Sequence, residues 1–309
     1  INPDQHGSDT LDIQTIKNWL ALFSATAAQT NVIFLGGEPT LHPDLSLAVK
    51  AAGQMGFKSI TIDTNGYLFH GILDKITCTD IDFLSFSLDG ACRDTNDAIR
   101  GKGVYDTVLN GIQAARKKGF SCSMIYTVSQ DNIHEIQQMP DLIQSLDIQR
   151  FFIQVIGLRG KSCSTPAADL ENRSSVRQVT RELWRSVIPE VARRIAAMGI
   201  DVTYPKVFLE KSEPFECAGN VADNHFIFPN GRVYQCPICE DFPLNACCIV
   251  NNSLQPAPPI NEKDLFGLTI QEGCVMNKMI QPGNLSYDAS GNPAYKIACC
   301  LPKEEISAG

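Results

Sequence analysis

The residues best suited to chemistry fall into two sets. The first is Gly36-Gly-Glu-Pro39, which follows the apolar run Asn31-Val-Ile-Phe-Leu35. Two glycines let a ligand approach the backbone closely, and Glu38 with exposed carbonyls accepts hydrogen bonds from an ammonium, so this turn can hold an amino group. It also reads as an ordinary strand-to-helix turn with Glu38 in the first helical turn, where the dipole favours a carboxylate. The second set is cysteine. Twelve are present, and eight of them (217, 236, 239, 247, 248, 274, 299 and 300) crowd the last third of the chain. In a reduced cytosolic protein such clusters mean metal more often than disulfides. A hairpin about Pro229-Asn-Gly231 would bring Cys217 and Cys236 towards one site. Cys236-Pro-Ile-Cys239 looks like a zinc-ribbon knuckle, while four thiolates also suffice for one 4Fe-4S cluster. Adjacent side chains diverge, so Cys247 and Cys248 do not both serve one metal. Cys78, Cys92, Cys122 and Cys163 stand alone and read as small buried or surface thiols.

These groups need a scaffold, and the periodicity supplies one. From residue 11 to about 156 strand and helix patterns alternate with short connections. Helices are expected at 11–23 (capped by Ser8 or Asp9), 44–55, 68–76, 105–118 and 133–146. Strands are expected at 31–35, 59–63, 83–87, 121–128 and 151–156, with another possible at 200–204. Such alternation gives parallel βαβ units in a doubly wound or barrel arrangement, with the site at the carboxyl ends of the strands. Gly36 to Pro39, Thr64-Asn-Gly66, Ser87-Leu-Asp-Gly90 and Gly157 all stand there. Asn132-Ile-His-Glu135 matches a capping box. A long helix at 176–198 is expected to kink or break at Pro189, and Arg177, Arg181 and Arg185 give it a charged face. The domain division expected is 1–204 for the barrel and 205–309 for the cysteine-rich module.

With 309 residues, 44% of them apolar and 19% charged, the chain can bury a sizeable core. A net charge of −8 offers no basic field to a nucleic acid. No apolar run approaches the roughly 20 residues of a membrane span, and no leader pattern opens the chain, so a cytoplasmic setting is expected.

Taken in order, Gly36-Gly-Glu-Pro-Thr-Leu-His-Pro-Asp44, Thr64-Asn-Gly66, Ser87-Leu-Asp-Gly90 and Arg100-Gly-Lys-Gly103 resemble the core of the radical SAM superfamily, from about Val32 to Gly160. The stretch from Cys217 to Cys236 resembles the opening of a SPASM or Twitch extension. The resemblance implies an α/β fold, a partial (β/α)6 TIM-like barrel with its first strand missing and a small cysteine-rich C-terminal module. It implies an enzyme in which a 4Fe-4S cluster cleaves S-adenosylmethionine reductively and the deoxyadenosyl radical takes a hydrogen from substrate. By that resemblance Gly36, Gly37 and Glu38 hold the methionine amino group and Pro39 shapes the turn. Thr64 and Asn65 join the cofactor site, Ser87 and Asp89 lie near ribose or carboxylate, Arg100 reaches the carboxylate, and Val155 with Ile156 passes the adenine.

The family's cluster is held by CxxxCxxC, a spacing this chain lacks; that segment and the first strand are expected upstream of Ile1. An auxiliary 4Fe-4S cluster is expected on Cys217, Cys236, Cys274 and one of Cys299 or Cys300, with Cys239 as substitute. The substrate implied is a peptide or protein, and the electron donor a flavodoxin or ferredoxin. Molybdenum-cofactor-type cyclases match imperfectly, the chain ending Ser-Ala-Gly in place of a glycine pair. The alternatives are a non-catalytic, metal-stabilised binding module on a degenerate barrel, or a zinc-dependent enzyme using Glu38, His42 and Asp89, although no HExxH pattern is present.

Overall fold

The computed structural model describes residues 10–67, 69–157, 178–217, 223–237, 239, 245–257, 272–274, 276–298 and 302–308. Six strands lie side by side in chain order, all parallel: β1 (Asn31–Phe34), β2 (Ser59–Thr64), β3 (Phe83–Ser87), β4 (Cys122–Val128), β5 (Arg150–Val155) and β6 (Asp201–Pro205). The sheet curls into a half-barrel of TIM-like type. Helices α1 (Ile13–Ala21), α2 (Leu45–Gln54), α3 (Arg93–Arg100), α4 (Val104–Lys117), α5 (Met139–Ser145) and α6 (Arg181–Ala196) intervene.

One sheet face builds the core. Ile62, Leu84, Phe86, Met124 and Phe151 are fully buried against Val49 and Ala52 of α2, Val108 and Ile112 of α4, and Ile188 and Ile195 of α6. Each such side chain contributes about 1.5–3 kcal/mol by leaving water. Because strand side chains alternate, the residues between them point the other way, into the concave interior. That set is rich in polar residues, Thr61 and Asp63 on β2, Ser85 and Ser87 on β3 and Ser123 and Thr127 on β4, with Phe83, Ile125 and Phe152 among them.

Several local expectations change. The first helix is capped by Asp12, whose carboxylate accepts from the Gln14 and Thr15 amides; Ser8 and Asp9 lie outside the described residues. The segment expected as a helix at 68–76 is a 3-10 helix, Phe69–Asp74. The helix expected at 133–146 divides into a 3-10 helix, Ile133–Gln138, and α5. Pro140 stands in the first turn of α5, where its missing N–H costs nothing but where it cannot continue an incoming helix. Pro189, by contrast, does not divide α6, which runs unbroken from a Thr180 cap; Ile188, Val191, Ala192 and Ile195 are all buried and hold it to the sheet.

The capping box at 132–135 does not form. Asn132 makes no side-chain cap bond, and its amide instead donates to the carbonyls of Asp89 and Thr127. Glu135 reaches 43 residues back and accepts from the Ala91 and Cys92 amides at the start of α3. A buried carboxylate facing another helix's amino end outcompetes its own local turn.

Beyond β6 the chain forms short antiparallel pieces. β7 (Phe208–Leu209) pairs with β12 (Lys296–Ile297). A four-stranded meander runs through β8 (Phe226–Ile227), β9 (Arg232–Tyr234), β10 (Cys247–Val250) and β11 (Ser253–Pro256). The expected hairpin about Pro229 to Gly231 is its β8–β9 unit. Gly231 has φ +82°, and a Cβ there would stand 2.8 Å from the Ile249 carbonyl oxygen. A short helix, α7 (Asn277–Ile280), leads towards β12, and β13 (Lys303–Ile306) returns to pair antiparallel with β6. Among the described residues no helix is long and apolar enough to cross a membrane.

Candidate functional site

The glycine turn follows β1 directly. Glu38 begins a 3-10 turn, Pro39–Leu41, and accepts from the Thr40 amide at 3.1 Å and the Thr40 hydroxyl at 2.5 Å. The same carboxylate accepts from the Thr64 hydroxyl and the Asn65 amide, both at 2.8 Å. Both sequence readings of Glu38 therefore have a share in it: it caps its own turn, and it ties that turn to the carboxyl end of β2. Gly36 and Gly37 keep no positive φ, and a Cβ built on either meets nothing within 4 Å. Among the described residues, the chain's own packing does not require glycine at these two positions.

Asn65 and Arg100, from separate sequence motifs, line one cleft of about 350 Å³ with Tyr67 and Val104. Ser87 ends β3 opposite Ile125, and Val155 ends β5 opposite Val128; both are half-buried at the same rim. Asp89 differs from these. It is buried, one carboxylate oxygen accepts from the Thr127 amide at 2.7 Å, and the other accepts from Arg100 Nε at 2.7 Å. Its amide donates to Asn96 and its carbonyl accepts from Asn132. Asp89 thus orients Arg100 and locks β3 to β4, and its carboxylate has no oxygen turned to a ligand without a protein donor on it. His42 is similarly committed: Nε2 bonds the Leu11 carbonyl at 2.7 Å, and Nδ1 accepts from the Asp44 amide. A zinc site built on Glu38, His42 and Asp89 is therefore not what these side chains form.

A larger cleft, about 780 Å³, lies at the opposite rim among Lys50, Lys58, Asp80 and Asp82. It holds none of the strand-end groups, two of which, Asn65 and Arg100, line the smaller cleft.

In the tail, Cys236, Cys239 and Cys274 are buried and Cys217 half-buried. The Cys239 thiol is pushed far up by its hydrogen bond with Cys236, by burial, and by the charges of Cys236, Cys217 and Cys274. As placed, no three His, Cys, Asp or Glu side chains among the described residues have the spacing to hold a metal ion. Cys299 and Cys300 lie outside the described residues. Cys248 accepts from the Asn245 amide group within the meander. Of the lone barrel thiols, Cys122 is core-buried and pushed up by that burial to about 12, and Cys92 bonds Glu135. Arg181 and Arg185 both pair with Glu210 rather than forming a bare charged face.

The module meets the barrel at the same rim. A Cβ at Gly157 would stand 2.4 Å from Ile280 Cγ2 of α7, and Gln281 donates to the carbonyl of Ile156. No sequence pattern announced this contact, because its two sides are more than a hundred residues apart.

The chain is similar to known proteins in sequence and in fold. Residues 2–143 match the Radical SAM superfamily. A Fe-coproporphyrin III synthase of Methanosarcina barkeri is 30% identical over 166 residues, covering 51% of this chain and 41% of the relative. A probable GTP 3',8-cyclase of Saccharolobus islandicus is 27% identical over 222 residues, 68% of each chain. The chain thus spans about two fifths of the first of these relatives. In fold it is similar to a solved structure of native anSMEcpe with bound AdoMet and Kp18Cys peptide, with a TM-score of 0.56 at 12% identity over 91% of this chain and 77% of the other.

Proposed function

This chain belongs, through residues 2–143, to the Radical SAM superfamily, and on that premise we propose that its strand-end rim binds S-adenosylmethionine within an enzyme that modifies a peptide or protein. The observation that carries the reading is the Glu38 clamp, which fixes the Gly36-Gly37 turn against Thr64 and Asn65 with open space over both glycines. The residues fit the cofactor. The carbonyls of the Gly36-Gly37 turn that Glu38 holds in place suit an ammonium, Arg100 suits a carboxylate, and Ser87 and Val155 stand at the rim for ribose and adenine. Bound there, S-adenosylmethionine would supply a sulfonium that one electron from a reduced 4Fe-4S cluster, whose ligands are not among these residues, would cleave to methionine and a deoxyadenosyl radical able to take a hydrogen from substrate. The chain's own residues bind and orient it: Asp89 holds Arg100, and Glu38 holds the turn.

The fit does not extend to the radical cluster. The chain has no CxxxCxxC, and Cys92 and Cys122 are committed elsewhere, so the residues present do not form a site for that cluster. In the tail, Cys217, Cys236 and Cys274, with one of Cys299 or Cys300 or else Cys239 as the fourth, are the ligands we assign to an auxiliary 4Fe-4S cluster; Cys217, Cys236, Cys239 and Cys274 fall in one neighbourhood. A peptide or protein substrate is favoured by the peptide bound to the structural neighbour; the relatives named for GTP and coproporphyrin keep a small molecule as the competing class.

The test is calorimetric titration of the chain with S-adenosylmethionine. Gly37→Val adds bulk into open space, so it should leave the melting temperature unchanged while weakening binding at least tenfold. Unchanged binding in Gly37→Val, or none in the parent chain, sinks the reading.

A further inference from the structure

The half-barrel interior carries a polar row that the cofactor does not use. In register across adjacent strands stand Asp63 on β2, Ser85 on β3, Ser123 on β4, Arg150 on β5 and Asp201 on β6. The row starts near the carboxyl end of β2 and ends at the first residues of β5 and β6, as the stagger of a barrel sheet requires. Its far end is self-sufficient: Arg150 pairs with Asp201 at 3.6 Å and lies 4.1 Å over the Phe83 ring. Its near end is not.

Ser85 and Ser123 are only 2% and 1% exposed, and neither hydroxyl has a partner in hydrogen-bonding geometry. Orphaned buried hydroxyls are uncommon and costly, which makes two in adjacent register a signal. Asp63 beside them is half-buried. Burial pushes its carboxyl up to about 6, and a loose hydrogen-bonding contact from the Ser85 hydroxyl, short of good geometry, offsets only part of that rise. No cation contributes, and no ion pair involves Asp63 among the described residues. The row directly adjoins the site already described, because Thr64 and Asn65, the next two residues, bond Glu38.

We infer that Asp63, with Ser85 and Ser123, forms the substrate-anchoring site of the barrel interior and takes a primary ammonium group. The inference rests on the reading of this interior as the substrate chamber. One carboxylate and two hydroxyls offer three acceptor groups, and an ammonium offers three donors and the one charge that is lacking. A guanidinium would present a planar fork better matched to a lone carboxylate. A neutral alcohol would bring one donor and leave the carboxylate uncompensated.

The experiment compares Nα-acetyl-lysine methylamide with its norleucine analogue, titrated calorimetrically into the chain at pH 8. The lysine compound should bind at least tenfold more tightly. Asp63→Asn should erase that preference, and Ser85→Ala should reduce it, each variant being checked for an intact melting transition. Equal binding of the two compounds, or a preference that survives Asp63→Asn, overturns the proposal; Asp63→Glu keeps the charge and decides the case if Asp63→Asn fails to fold. Titration of S-adenosylmethionine into the same samples separates the readings. In the parent chain, absence of the ammonium preference with cofactor binding intact removes this site alone, and the preference without cofactor binding removes the cofactor reading alone.

Discussion

Asp63 works against the stability of the molecule that contains it. Its folded carboxyl holds its proton up to about pH 6 against an ordinary value of 3.8. The folded state therefore binds the proton more tightly, and unfolding free energy declines as pH rises from about 4 to about 6, then stays reduced. A shift of roughly two units corresponds to at most about 3 kcal/mol. Asp63→Asn lacks this slope, so it should be more stable than the parent at pH 8, with the gain fading by pH 4. Denaturant melts at the two pH values check this, and a pH-independent difference contradicts it. Glu38 makes the opposite contribution. Its oxygens collect four donors from two segments, and it secures the rim instead of straining it.

Elements whose cores are local were legible in the sequence. Strands β2 to β5 follow from alternation and apolar runs, because each packs against the helix just before or after it. Helix α3 (Arg93–Arg100) gave no such signal. It is almost wholly polar, and what fixes it is Glu135 at its amino end. Burial alone would raise the Glu135 carboxyl, but hydrogen bonds from Thr95, Cys92 and Ala91 outweigh it and hold the group low. The stability it contributes is thus present above the ordinary carboxylate value and lost as pH falls through the folded one. Glu135→Gln should cost about 1–3 kcal/mol at pH 7, and the difference should shrink below pH 4.5. Thermal unfolding of both proteins across that range checks it; equal stability at neutral pH would remove Glu135 as the anchor. The same blindness to distance hid β7, β12 and β13. Two to four residues carry no periodicity, and their partners are far away in sequence. At the site, Glu38, Asn65 and Arg100 were legible as motifs, whereas the commitment of Asp89 to Thr127 depends on strand register.

At the scale of the whole molecule, two modes of stabilisation meet. The barrel holds itself by apolar burial. The meander buries few large side chains, among them Phe228, Val233 and Ile249, so a metal on its thiols would supply much of its stability. Chelation of that metal, or Cys239→Ser, should speed hydrogen exchange across 226–256 at least tenfold while β1 to β5 keep their protection. Unchanged exchange in the meander, or equal loss in both parts, would falsify the division.

The return of β13 to β6 also sets an order of events. Ile306 lies opposite Val202, so that edge of the parallel sheet is sealed by residues synthesised about a hundred positions later. On a ribosome adding roughly 5–20 residues per second, β6 waits several seconds as an open edge. Until the cysteine-rich tail has emerged, an unfilled row of backbone donors and acceptors is exposed to any other extended chain. The tail thus acts as a late protective strand in folding, and its loss should show first as aggregation of the nascent barrel.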